Sequence, residues 1–502
     1  MIRRGNGPRL MFPRGPAEAN PVGDPKGEGD MMARGEGTRC DLLITNGTVI
    51  TMDAERRVLA RGAIAVSGRR ITAVGPERSI LRTYRARRTI DAGGGVVHPG
   101  FIEPHLHIVH GTCRGIFGDA LGDAPRTVNF ADWKADVRPK EEHTATLFAG
   151  LEMLHNGFTC YIEPGTVFDS DAVAAATEQV GMRGLLAGTY IWDQIEIMKQ
   201  LGPLDSALLY GRAPPKLERC LDEMGKQLGR NADPDALVRG FVMIYGTGTA
   251  SDELERAAHA LARSAGAPFH QHESYLPSAY RFDKDRLGHS RLLHLHELGV
   301  LDGNSSLIHM NVIEDEDVPA ILDSSVNIVW CPFSYLHFGM SDRIRCRVPE
   351  LMRRGVNVAL GIDITTDASV GNSPAAAYLA AGNARAPIGP EDILEMQTVR
   401  AARVAGLADE IGSLEVGKRA DIVIRSPLAP EAQPGVNPVH QLALLSRASG
   451  VDTVVVDGRV VLRNGRCTRV DEAEVYAAVK KTVNRRMRRL GLSPSLAWQV
   501  VR

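Results

Sequence analysis

No stretch of this chain stays apolar for long enough to span a bilayer. The charges nearly cancel, with 59 Lys and Arg against 60 Asp and Glu. No bulk field therefore draws the protein to nucleic acid or to an anionic membrane. Cysteine is scarce: seven residues, an odd number, scattered with no Cys-x-x-Cys pair. That argues against a disulfide scaffold and fits a reducing, cytoplasmic setting. No Gly-x-Gly-x-x-Gly follows a first strand, which weakens the case for an open doubly wound sheet, and no solenoid repeat is visible. The first 38 residues are rich in Gly, Pro and Arg and lack the apolar core of a secretory signal. They are expected to form a disordered tail. A small-molecule substrate and a homo-oligomeric assembly are the partners expected.

What is present is ordinary bulk and a clear change of texture along the chain. With 502 residues and 44% hydrophobic content there is material for more than one structural unit. From Asp41, "DLLITNGTVITMD" and "GAIAVSGRRITAVG" alternate apolar and polar residues around Asn46-Gly47 and Ser67-Gly68, which predicts hairpins. "ADIVIRS" and "VDTVVVDGRVVLRNGR" repeat that texture near the other end, around Asp457-Gly458 and Asn464-Gly465. Both ends thus supply strands for one small β-sandwich, 39–98 with 409–470. A helical segment over 471–502 follows, in which the arginine-rich "KKTVNRRMRRLG" is expected to be a solvated helix face.

The middle alternates helices and short strands. In "SDELERAAHALARSAG", Leu254, Ala257, Ala258, Leu261 and Ala262 recur at helical spacing, and Gly266 stops the helix. A strand over 267–272 follows. "VPELMRRGVNVALGID" repeats the scheme, with a helix through Arg354, a stop at Gly355 and a strand over 356–363. Such alternation over 99–408 predicts a parallel sheet of a length suited to a (β/α)8 TIM barrel, with an open doubly wound sheet as the alternative.

Chemistry-bearing residues collect where barrel strands should end. In "FIEPHLHIVH", His105 and His107 fall on one side of a strand, because strand side chains alternate. "APFHQHESY" adds His270 and His272, "SLIHMN" adds His309, and "VALGIDITTD" adds Asp363. Imidazoles and one carboxylate at a barrel mouth make a nitrogen and oxygen donor set with room for water, as a hydrolytic metal needs. Glu163 in "CYIEPGT" is a weaker candidate. His110 and His337 read as loop or supporting histidines, and Tyr190 and Trp192 as possible lining of the pocket.

Taken together, "TIDAGGGVVHPGFIEPHLH", "CRG", "NGFT", "NVALGID", "IGSLEVGKRADIVI" and "VVVDGRVVLRNG" resemble the amidohydrolase superfamily. Within it they are similar to the branch of cytosine, guanine and adenosylhomocysteine deaminases and triazine hydrolases. The resemblance implies one divalent metal, zinc first and iron or manganese otherwise, held by His105, His107, His272 and Asp363. No lysine stands on "LVRGFVMIYG" to bridge two metals. It also implies C–N hydrolysis by water activated on that ion. Asp363 would move the proton, and His309 would polarise the carbon under attack. The branch carries a Glu three residues after the fifth-strand ligand, but Tyr275 stands three after His272. If His270 were the ligand instead, Glu273 would be the acid/base; the reading favours His272 with Glu273 facing away. His309, Tyr275, Trp330 and His270 are the expected substrate contacts, although Trp330 and Tyr335 in "WCPFSY" replace polar positions of the branch. Hydrolysis of amides, ureas or carbamates is the alternative activity, and a non-catalytic scaffold a more distant one.

Overall fold

The fold is taken from a computed structural model that describes residues 37–117, 130–201, 205–340, 344–493, 498–499 and 501. The expected tail over 1–38 therefore lies outside the described residues, except at its last two positions. A strand already begins at Thr38.

Eight strand segments run parallel through the middle of the chain. They are Phe101–Glu103, Phe158–Ile162, Arg183–Leu186, Val238–Gly240 continued by Val242–Gly246, Phe269–Glu273, Ser305–His309, Asn327–Trp330 and Val358–Leu360. The fourth joins the two halves. Its first part pairs with the third strand and its second part with the fifth. The ring closes where Leu106 bridges Asp363 in parallel, with the Asp363 amide donating to the His105 carbonyl at 3.0 Å. Helices such as Pro139–Asn156, Ser170–Val180, Asp252–Ala265 and Asp317–Ser324 return the chain between strands. This is a barrel of the TIM type.

The local signals read from the sequence act as expected in the fourth return. Ser251 caps the helix Asp252–Ala265 by accepting from the Leu254 amide, and Gly266 ends it in the left-handed conformation. The seventh return is shorter than expected: the helix is Val348–Arg353 and the strand Val358–Leu360. Ile102, Cys160, Ile162, Leu185, Phe241, Met243, Ile308, Val329 and Ala359 fill the interior in one buried cluster with Ala401, Ala402 and Val404. The helix Val399–Val404 thus plugs the end away from the strand C-termini.

Strands from both ends of the chain share one nine-stranded sheet. Ile422–Arg425 pairs with Val96–Pro99, which in turn pairs with Thr38–Ile50. The turns expected at Gly68, Asp457-Gly458 and Asn464-Gly465 are present with positive φ. Asn46-Gly47 is not a hairpin turn. It lies inside Thr38–Ile50, at a bulge where the strand leaves its partner Tyr84–Asp91 and takes up Val96–Pro99. Glycine is required there because a Cβ on Gly47 would stand 2.5 Å from Val97 Cγ2.

The C-terminal helix, Glu472–Arg489, corrects a second expectation. Its arginines are not all solvated. Arg486 is buried, lies 4.0 Å above the Trp133 ring, and donates to the carbonyls of Trp133 and Asp136. Arg489 pairs with Asp136 at 2.7 Å and with Glu141 at 2.9 Å. Arg485 and Arg488 are exposed, as a solvated face requires, while Arg486 and Arg489 turn to the barrel. A local run of arginines carries no information about the carboxylates and carbonyls that the barrel presents to them.

Candidate metal centre

The C-terminal ends of the first, fifth, sixth and eighth strands bring five side chains together. One donor nitrogen from each of His105, His107 and His272 lies within 4.8 Å of the others. The same holds for donor atoms of His105, His309 and Asp363. Asp363 Oδ1 stands 3.2 Å from His107 Nε2 and 3.5 Å from His105 Nε2. A tetrahedral ion with bonds of about 2.0–2.1 Å spaces its ligands by about 3.3 Å, so these separations suit one. All five residues are buried.

Two of the rings are fixed from behind. The Thr166 hydroxyl donates to Glu163 at 2.5 Å, which leaves its oxygen to accept from His107 Nδ1–H at 2.8 Å. His272 Nδ1–H donates to the Tyr245 carbonyl at 2.7 Å. Each arrangement selects the tautomer whose free Nε2 faces the cluster. His105 Nε2 and His309 Nδ1 are buried with no hydrogen-bond partner. Buried polar atoms without partners are costly. The donor set, its spacing and these two orphan atoms fit a divalent metal.

Electrostatics agree with ligand chemistry. Burial holds the imidazoles of His107 and His272 well below the usual histidine range, so both are neutral, as ligands must be. Burial pushes Asp363 up, but the surrounding imidazoles of His105, His107 and His309 outweigh it and hold the carboxylate well below the usual range, so that it stays ionised. His309 and Asp363 both have positive φ, at 79° and 67°. Non-glycine residues reach that region only under local strain, which collects at functional sites. The fourth strand also passes close to the centre: a Cβ on Gly246 would stand 2.1 Å from the His272 carbonyl oxygen.

The remaining sequence candidates fall in different places. The Tyr275 ring lies 4.4 Å from that of His309, and its hydroxyl is 3.4 Å from Ser334 Oγ. Glu273 faces the outside of the barrel, where Oε1 accepts from the Ser274 amide at 2.8 Å and Oε2 is 3.4 Å from Arg291. His270 points inward one layer below His272. Its Nε2–H donates to the Val404 carbonyl at 3.0 Å, at the plugged end, so it does not join the cluster. Trp330 packs between the seventh strand and the surrounding helices, among Leu292, Val348 and Tyr335, rather than in the mouth. Glu163 supports His107 through Thr166, and the His110 ring stacks on His107 at 4.7 Å. His337 lies 3.3 Å from Asp367, and Trp192 is packed with its indole N–H on the Ala213 carbonyl.

Sequence reasoning passed over Glu103, Thr166, Tyr245 and Lys134. Glu103 Oε1 accepts from the amides of His105 and Ile362, tying the first strand to the eighth. Its signal was a carboxylate inside an otherwise apolar strand. Lys134 is 3% exposed, beside the centre. A charged residue in a short amphipathic stretch gives no such warning.

A parallel barrel with histidines and one aspartate gathered at the strand C-termini defines a metal-dependent hydrolase. Comparison with known proteins makes this specific. A family model described as "Amidohydrolase family" matches residues 96–461. The chain is 28% identical over 461 residues to the 5-methylthioadenosine/S-adenosylhomocysteine deaminase of Syntrophobacter fumaroxidans, covering 88% of this chain and 98% of that protein. Among solved structures it resembles an adenosine deaminase from Xanthomonas campestris with bound zinc. The TM-score is 0.77 at 25% identity, covering 90% of this chain and all of that one. An atrazine chlorohydrolase mutant from Arthrobacter aurescens TC1, complexed with zinc and atraton, shares the fold. Its TM-score is 0.74 at 23% identity, over 88% of this chain and all of the other. The protein belongs to the amidohydrolase family and is a hydrolase of carbon–nitrogen bonds other than peptide bonds. Among the described residues no helix is long and apolar enough to cross a membrane.

Proposed function

We propose that one divalent ion, zinc first, is held by His105, His107, His272 and Asp363, and that the site removes an amino or substituted amino group from a ring carbon of a small N-heteroaromatic compound. The donor cluster with its two partnerless nitrogens carries this reading. The deaminases among the relatives point to the same substrate class. The bound ion supplies Lewis acidity and favours deprotonation of water. Asp363, ionised and at the centre, takes the proton of the attacking water and delivers it to the leaving nitrogen. His309, kept neutral by burial at a pKa of about 3, offers one N–H to the ring atom that gains charge. Tyr275 covers His309 and narrows the space above it.

One observation favours a second reading. Tyr275 occupies the position where an acid would serve a heterocycle deaminase, and Glu273 is turned towards Arg291. A site with one proton carrier suits an arylamine, a better leaving group than ammonia or an alkylamine, as in anilides and in aryl-substituted ureas or carbamates. Parallel assays separate the two: ammonia release from aminopurines and aminopyrimidines, and amine release from anilides and phenylureas. Activity on the first set supports the primary reading; activity confined to the second replaces it.

Two structural readings accompany the chemistry. The nine-stranded sheet is taken to fold into a sandwich over 39–98 and 409–470, because Leu42, Ile44 and Ile64 are buried in one cluster while Leu43, Ala63 and Ala65 are buried in another. The unpaired state of all seven cysteines supports a cytoplasmic setting.

A further inference from the structure

The buried polar groups beside the metal cluster are not all used by the chemistry above. Lys134 sits on the short helix Phe130–Ala135 and is buried with its neighbours Trp133 and Ala135. Lysine normally keeps its ammonium in water by extending its stem, yet only 3% of this residue is exposed. Its Nζ lies 5.9 Å from the centroid of the Phe130 ring and 5.8 Å from that of Tyr190. These rings offset part of the desolvation cost.

Among the described residues no carboxylate forms an ion pair or hydrogen bond with Lys134. Asp363 and Glu163 act on it only through space. Both are committed elsewhere: Glu163 accepts from the Thr166 amide and hydroxyl, and Asp363 faces His105 and His107. Two further polar groups in this corner also lack partners. Both ring nitrogens of His110 and the hydroxyl of Tyr190 are buried and unsatisfied.

The corner adjoins the cluster on two sides. His110 touches Phe130 at 5.0 Å and stacks on His107 at 4.7 Å. Tyr190 stacks on Tyr245 at 6.1 Å, and Tyr245 lies 5.0 Å from His272. The helix carrying Lys134 is also held in place. Arg486 lies over Trp133 and donates to the carbonyls of Trp133 and Asp136. A lysine fixed in this way, with two idle neutral polar groups beside it, is poorly explained by packing alone. A buried ammonium is tolerated when an anion meets it.

We propose that Lys134, His110 and Tyr190 form a subsite that receives a carboxylate on the substrate, so that the compound hydrolysed is a heteroaromatic monoanion rather than a neutral ring. This rests on the function proposed above and adds the substrate's charge to it. A single ammonium with neutral donors matches one negative charge; a dianionic phosphate would leave one charge unmet.

The test uses the metal-loaded full chain and two probes of equal shape, nicotinate and nicotinamide, with affinities measured by calorimetry. Wild-type protein is expected to prefer nicotinate by at least about tenfold, the scale of a hydrogen bond to a charged group. Lys134→Met, checked for melting behaviour and metal content, should lose that preference while its nicotinamide affinity stays within about threefold. Tyr190→Phe removes only a hydroxyl and should weaken nicotinate by about 3–10-fold without changing nicotinamide. It decides the matter if Lys134→Met does not fold. No preference in the wild type, or a preference that survives in folded Lys134→Met, overturns the subsite, the latter because the carboxylate would then be binding the metal directly. Unchanged nicotinate affinity in Tyr190→Phe also counts against it. Wild-type turnover on the neutral C–N substrates without a carboxylate preference would refute the subsite and leave the function standing. A carboxylate preference without any C–N turnover would support the subsite and remove the function.

Discussion

Residue by residue, the fifth strand decides what kind of catalyst this is. His270 and His272 share a face, as alternation requires, but lie in different layers. His272 reaches the cluster, while His270 bonds to Val404 at the plugged end. Glu273 is on the other face against Arg291. Glu273→Gln should therefore change kcat by less than about threefold, far short of the hundredfold or more that loss of a general acid/base costs. Steady-state kinetics with the best substrate from the parallel assays check this, and a hundredfold loss would return the proton shuttle to Glu273. Behind the first-strand ligand, Thr166→Val should weaken metal affinity by about 10–100-fold, the usual effect of removing a group that orients a ligand; competition with a chelator measures it. The first-strand pair and His272 were legible because a strand's period is two. His309 was legible as a strand-end histidine but not in its direction. Alternation would send it outward with Leu307, and only its positive φ turns the ring to the centre.

Among the secondary structure elements, signals carried by neighbouring residues survived into the structure and signals that depend on distant partners did not. Ser251 and Gly266 bound their helix as expected, and Asp457-Gly458 and Asn464-Gly465 make their turns. Asn46-Gly47 has the same composition but became a bulge, because the choice between turn and bulge depends on which strands arrive beside it. The C-terminal helix shows the same limit. Its arginines read as solvated because their partners, Trp133, Asp136 and Glu141, are more than 300 residues away. Arg486→Met should destabilise the protein by about 3 kcal/mol or more, through loss of a buried charged donor to two carbonyls. Chemical denaturation measures this; a change under about 0.5 kcal/mol would mean that the helix is merely laid against the barrel.

Across the whole molecule, a buried ion network joins the barrel to the nine-stranded sheet. Arg183, on the third barrel strand, stands 3.3 Å from Asp421 and 3.4 Å from Asp457, and Arg419 stands 3.1 Å from Asp457. Removing one partner of such a network leaves charge buried and typically costs about 3–5 kcal/mol. Arg183→Met should lower the unfolding midpoint accordingly without touching the metal cluster. The sequence carried the barrel and the shared sheet through alternation and length, but not this junction, since no local pattern pairs residues 238 positions apart. The central claim is that one ion sits among His105, His107, His272 and Asp363. Elemental analysis of purified wild type, His270→Ala and His272→Ala tests it most directly. One divalent metal per chain in the first two and none in the third is the expected result; two per chain in the wild type, or metal retained by His272→Ala, would contradict it.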